Sequence, residues 1–220
     1  MLVTLALLEA CALVGRGEAM KSPTTHKCVD GASCLAAAKH VLAQASTEMP
    51  AFGVLLEKAC TFGEMEGCVI LGQIMVKTPH ATQGQRTSLA LFERACSHDH
   101  AEGCKELAER YRVGRGVKRD LSLAAVLYRE ACEGGEVNSC QRLGNMYFLG
   151  QGMPPDYSRS AELWSRLCHQ GLAESCGAYA FLVEKGLGVP RNIAQAKNLY
   201  EKACEGGDAV SCAQLRRLRR

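Results

Sequence analysis

The sequence predicts an all-α protein of stacked helix-turn-helix repeats stapled by disulfides. Three observations predict it: cysteine pairs that return every 36 residues, an apolar helical stripe on the same period, and glycine-rich loops that punctuate it. A period of about 20 to 50 residues marks stacked supersecondary units rather than one closed core.

The cysteines set the count. Cys60, Cys96, Cys132, Cys168 and Cys204 stand 36 residues apart, and Cys68, Cys104, Cys140, Cys176 and Cys212 follow each of them by eight. Around them the phrases "LLEKAC", "LFERAC", "LYREAC", "LWSRLC" and "LYEKAC" keep the same step. Leu91, Leu127, Leu163 and Leu199 share one position, and Phe92, Tyr128, Trp164 and Tyr200 the next.

Each unit reads as two helices. Leu143, Gly144 and Tyr147 set the stripe of a first helix, echoed by Leu71 with Gly72 and by Leu107 with Tyr111. That helix stops at Gly114, Gly150 or Gly186, where glycine supplies a left-handed C-cap. The loops "GRGVKRD", "GQGMPPD" and "GLGVPRN" end on Asp120, Asp156 and Asn192, side chains suited to N-cap the second helix. The second helix closes at the first cysteine. Gly63, Gly135, Gly171 and Gly207 make the next turn, with Asp99 replacing glycine once.

Each pair therefore spans a hinge between units. Two antiparallel helices joined by a tight turn bring such positions within the roughly 4.4–6.8 Å between Cα atoms that a disulfide needs. Zinc pairs usually sit two to four residues apart, so metal binding fits less well. Buried free thiols are the plainer alternative, and five identical spacings favour bridges. Cys28 and Cys34 lie closer in sequence and mark an abbreviated first unit, with a sixth bridge expected there. Thirteen cysteines in 220 residues point to an oxidising compartment, hence an extracytoplasmic location: periplasmic, outer-membrane lipoprotein or secreted.

The thirteenth cysteine, Cys11, follows the apolar "LVTLALLEA". This arrangement resembles a bacterial lipoprotein signal cleaved before Cys11, which would be the lipid-attachment residue and a possible membrane anchor. The competing reading is that "LALLEAC" is a leftover second helix. Residues 1–27 are accordingly expected to be signal and tether, and 28–220 the repeat array. A net charge of +3 is too small to argue for nucleic acid, and no run of about 18 apolar residues offers a membrane span. Arg216, Arg217, Arg219 and Arg220 fit a solvated helix end.

The unit, with L-G-x-x-Y, G-x-G-V-x-x-D, L-Y-x-x-A-C and two cysteines eight apart, resembles a Sel1-like repeat. The cysteine placement resembles the Helicobacter cysteine-rich protein family, also called the Hcp β-lactamase family. The resemblance covers about residues 28–220. It implies an α/α solenoid (right-handed superhelix) related to tetratricopeptide repeats, of about five units after the abbreviated one, closed by a C-terminal capping helix. "VKTPHATQGQR" lacks the glycine-rich loop and "GAYAFLVEKG" the Leu-Gly pair, which bears on loop shape rather than fold.

No catalytic motif is present. There is no Ser-x-x-Lys, Ser-Asp-Asn or Lys-Thr-Gly, no Gly-x-Ser-x-Gly elbow and no His-Glu-x-x-His. His98-Asp99-His100 comes nearest to a metal cluster, in an inter-unit turn where polar residues are expected anyway. No metal and no cofactor is expected. In related solenoids the first helices line the concave face, which here would carry Lys105, Glu109 and Arg112, then Gln141, Asn145 and Phe148, then Gly177, Phe181 and Glu184. These positions change between units while the frame repeats, as selective binding requires; drift of a solvated face would look the same. The expected function is an extracytoplasmic scaffold holding a peptide, protein or peptidoglycan-like (cell-wall-derived) ligand there, as a monomer without nucleic acid. The resemblance also implies an alternative: a β-lactamase-like hydrolase or penicillin-binding protein with weak β-lactam hydrolysis.

Overall fold

The computed structural model describes residues 28–43, 49–77 and 81–219. Cys11 and the expected signal and tether lie outside them. Among the described residues every regular element is a helix: α1 (Gly31–Ala43), α2 (Met49–Thr61), α3 (Met65–Val76), α4 (Ala81–Cys96), α5 (Ala101–Val113), α6 (Leu121–Glu133), α7 (Val137–Leu149), α8 (Tyr157–His169), α9 (Ala173–Lys185), α10 (Ile193–Glu205) and α11 (Ala209–Arg219). They fall into two compact units, one ending at Arg119 and the other beginning at Asp120. Within each unit every helix packs on the next in sequence.

Local chemistry sets the helix ends. Asp120, Asp156 and Asn192 accept hydrogen bonds from the backbone N–H of Leu123, Arg159 and Gln195 at 2.9, 2.9 and 3.0 Å. This satisfies one otherwise orphaned donor per helix, worth about 1 kcal/mol. Gly114, Gly150 and Gly186 close α5, α7 and α9 in the left-handed region at φ 81°, 67° and 71°.

The hinges are equally regular. Their third residues, Gly63, Asp99, Gly135, Gly171 and Gly207, have φ of 93°, 58°, 91°, 92° and 93°. In each, the next N–H returns to a carbonyl five residues back, as in Glu136 to Ala131 at 2.9 Å and Asp208 to Ala203 at 2.9 Å. Asp99 manages the left-handed turn without glycine, the substitution that the sequence makes there.

Across these hinges the structure joins Cys60–Cys68, Cys96–Cys104, Cys132–Cys140, Cys168–Cys176 and Cys204–Cys212, and it joins Cys28–Cys34 ahead of α1. The Cα atoms of the pairs lie 4.4 to 4.9 Å apart, so each bridge sits at the close end of disulfide geometry. A nine-residue loop closed in this way stabilises by about 2.5 kcal/mol in the chain-entropy picture. Six bridges belong to a protein that matures in an oxidising environment outside the cytoplasm.

The core is a ladder of one aromatic ring on one small residue. A Cβ on Gly72 would stand 2.6 Å from the Phe92 ring, and one on Gly144 would stand 2.5 Å from Trp164 Nε1. In the following repeat Ala180 takes the place of glycine, and the fully buried Tyr200 packs in the same cluster. The missing Leu-Gly pair is therefore met by a ring that leaves room for a methyl group. Ser160 adds a bond from its hydroxyl to the Gly144 carbonyl at 3.0 Å. The second glycine of each loop lets the chain come close to the preceding second helix: Ser122 donates to Gly152 O at 2.7 Å and Ser158 to Gly188 O at 3.2 Å.

Candidate ligand-binding face

The positions assigned to ligand lie on the first helices α5, α7 and α9. In the first unit these charges pair with one another. Lys105 Nζ lies 2.5 Å from Glu102, and Arg112 lies 2.7 Å from Glu109. Gln73 on α3 donates to Glu102 at 3.2 Å and to Glu106 at 3.0 Å, tying α3 to α5. Lys105, Glu109 and Arg112 thus belong to a half-exposed polar network.

In the second unit the same surface opens into two clefts. One, of about 350 Å³, runs between α7 and α9 and is lined by Asn138, Gln141, Arg142, Asn145, Glu174 and Ser175, with Trp164 of α8 at its base. Gln141 Nε2 donates to Ser175 Oγ across it at 3.4 Å. The other, of about 330 Å³, runs between α9 and α11; Glu174, Gly177, Phe181, Asp208 and Gln214 line it over Tyr200 of α10. Gln141, Asn145, Gly177 and Phe181 are therefore brought to clefts.

Phe148 spends much of its surface inside the protein. Its ring lies 5.6 Å from Tyr157, 5.6 Å from Trp164 and 6.0 Å from Phe181, centroid to centroid. Edge-on and tilted pairs of this kind add about 0.5–1.5 kcal/mol each beyond burial. Phe181 continues the cluster to the surface, 36% exposed, with Lys185 Nζ 5.8 Å from its centroid.

Glu184 departs from its expected place on an open face. It is 5% exposed, and its carboxylate accepts from Tyr200 at 3.0 Å, Arg217 at 2.7 Å and Lys185 at 2.9 Å. A buried carboxylate needs such partners, and they commit it to holding α9, α10 and α11 together. It is a brace under the face, not a contact on it.

Sequence reasoning missed Asn138, Arg142, Glu174 and Gln214. Asn138 lies one turn before Gln141 and Arg142, and Asn145 one turn after, so a polar stripe at helical spacing was there to be read. His98 and His100 serve their hinge: the His98 ring nitrogen contacts Arg94 O at 2.9 Å, and the His100 ring accepts from Gly103 N at 3.3 Å. The hydrolase alternative gains no support from the clefts, because neither lining holds a histidine, lysine or cysteine to activate a nucleophile.

A family profile and two solved structures agree with this architecture. The family profile described as Sel1 repeat matches residues 101–136, 137–172 and 173–208. A protective antigen of uropathogenic Escherichia coli with an SLR fold superimposes with a TM-score of 0.76 at 22% identity, covering 84% of this chain and 40% of that one. This chain thus spans well under half of that antigen's length. A Sel1 repeat protein from Oxalobacter formigenes superimposes with a TM-score of 0.74 at 18% identity, covering 94% and 87%. Helicobacter pylori cysteine rich protein B matches at 23% identity over 81% and 95%, with a TM-score of 0.36. No curated protein sequence matches the chain.

Proposed function

Since residues 101–208 match three Sel1 repeats, we propose that the chain is an extracytoplasmic binding scaffold that holds a peptide, protein or cell-wall-derived ligand on its first-helix face. The observation that carries this is the pair of clefts in the second unit, which place Gln141, Asn145, Glu174 and Gln214 over aromatic floors. Ligand sites combine an apolar wall with a few placed polar groups, and each cleft lies at the lower end of their usual size, about 300–1,000 Å³. The frame beneath is uniform and cross-linked, so little of the binding free energy is spent on ordering the protein.

The scaffold acts in the periplasm, at the outer membrane or after secretion, with Cys11 as the acylation residue that the sequence offers. It works as a monomer and takes no nucleic acid. The test is titration of the oxidised, isotope-labelled protein with short peptides and with soluble muropeptides, followed by amide shifts in solution. Shifts confined to α7, α9 and α11 are expected, with no turnover of a chromogenic cephalosporin above a buffer control. Shifts confined to the second helices would remove the reading, and so would hydrolysis.

A further inference from the structure

One register position changes the lining of the first-helix face from repeat to repeat. It holds Lys105, then Gln141, then Gly177, at 36-residue steps. Gln141 reaches across its cleft to Ser175. The corresponding partner of position 177 is Ser211, but glycine has no side chain to reach it. Ser211 turns instead to Asp208, donating its hydroxyl to Oδ2, while its N–H donates to the same oxygen at 3.2 Å. Gly177 thus lines the cleft between α9 and α11, above Tyr200, without a side chain of its own.

The contents of that cleft select what fills it. Its walls carry two carboxylates, Glu174 and Asp208, and no lysine, arginine or histidine. Phe181 and Tyr200 supply aromatic surface below them. The Lys185 ammonium, held at 2.9 Å by Glu184, lies 5.8 Å from the Phe181 centroid, within the distance at which a cation feels an aromatic face. An apolar guest would strip water from the carboxylates and offer nothing in return. A basic side chain lays its methylene stem on the rings and brings its charge to the acids. At about 330 Å³ the space is ample for one long side chain.

Resting on the binding role proposed above, we infer that the Gly177 cleft is an anchor socket for one lysine or arginine side chain of an extended peptide. The test uses the full oxidised chain and acetylated, amidated pentapeptides Ala-Ala-X-Ala-Ala, with X as Arg, Lys, Leu or Glu, followed by amide shifts. The Arg and Lys peptides are expected to shift Glu174, Gly177, Phe181 and Gln214 and to bind at least tenfold more tightly than the Leu peptide, with the Glu peptide weakest. Gly177→Gln puts a side chain into the cleft and should lower affinity at least tenfold; its Cβ would meet Ser211 Oγ first and stand 2.6 Å from Asp208 Oδ2, so denaturant unfolding of the variant checks that α11 stays folded. Glu174→Gln, a surface change that leaves the packing alone, should lower affinity for the Arg peptide several-fold and leave the Leu peptide unchanged. Equal binding of all four peptides, or basic peptides that shift only the α7–α9 cleft, overturns the socket but not the scaffold. Failure of every peptide and muropeptide to shift the first-helix face overturns both.

Discussion

The Tyr200 hydroxyl donates to the buried Glu184 carboxylate at 3.0 Å, from α10 to α9. Burial works to raise the Glu184 carboxyl, but hydrogen bonds from Lys185, Arg217 and Tyr200 outweigh it and hold the group below its usual range. The same pair pushes the Tyr200 phenol well above its ordinary range, through burial first and the carboxylate second. The two residues tie successive helices of the second unit together, and pH should read that tie from both sides.

A carboxyl depressed in the folded state contributes stability above its unfolded value, about 4.3, and loses it as pH falls through the folded value. A phenol raised in the folded state contributes below about 10 and loses its contribution as pH rises through the folded value. Tyr200→Phe should therefore destabilise by about 1.5–3 kcal/mol at neutral pH, the range for a hydrogen bond to a charged group. It should also move the acid unfolding limb to higher pH, because Glu184 loses a partner. Denaturant unfolding across the pH range measures both; an unchanged acid limb would show that Arg217 and Lys185 alone hold the carboxylate.

Much of this fold is legible because its signals are local and periodic. The hinge turns, the N-caps and the bridges each involve residues within eight positions of one another, repeated at a fixed step, so one unit predicts the rest. Asp99 shows how far this reaches, since its φ of 58° copies the hinge glycines. The face was harder to read. Spacing alone puts Glu184 on the surface, at a first-helix position, yet its partners Tyr200 and Arg217 lie 16 and 33 residues away. Phe148 likewise turns inward because Tyr157, Trp164 and Phe181 surround it, and no neighbour in sequence announces that. The meaning of Gly177 emerges only beside Gln141, when both clefts are seen.

The bridges should act one at a time. Replacing Cys132 and Cys140 together by serine frees a loop whose ends lie eight residues apart, and should cost about 2.5 kcal/mol. Because repeats contact mainly their neighbours, increased hydrogen exchange should concentrate in α6, α7 and α8 and fade towards α11. Uniform loosening of the second unit would mean that it unfolds as one block.

Two glycines on either side of one repeat boundary should respond differently to alanine. At Gly144 the new methyl group meets the Trp164 indole at 2.5 Å, a rigid ring backed by core, so Gly144→Ala should cost about 1–3 kcal/mol of overpacking and change the tryptophan fluorescence. At Gly135 nothing lies within 4 Å, but φ is 91°, so Gly135→Ala should cost about 1–2 kcal/mol with the fluorescence unchanged. Gly135→Asn should recover part of that loss, because Asn tolerates the left-handed region. Chemical denaturation with fluorescence detection separates packing from backbone.

Arg166 places a guanidinium nitrogen 3.1 Å from Cys132 Sγ and 3.5 Å from Cys140 Sγ. At the same register Lys202 reaches back to Cys168 O at 3.0 Å, and in the first unit Arg94 reaches back to Thr61 O at 3.4 Å. A basic side chain thus recurs over a hinge, but only Arg166 touches sulfur among these three. A cation beside a thiol favours the thiolate, the form that attacks disulfides and alkylating reagents. After mild reduction that leaves the helices folded, Cys132 and Cys140 should alkylate several-fold faster at neutral pH than the same residues in Arg166→Gln. The Cys168 and Cys176 pair in the same samples controls for general loosening, and its rate should stay constant. Mass spectrometric mapping of the modified peptides reads both rates at once. A rise in all four rates would mean that Arg166 braces the repeat rather than tuning its sulfurs.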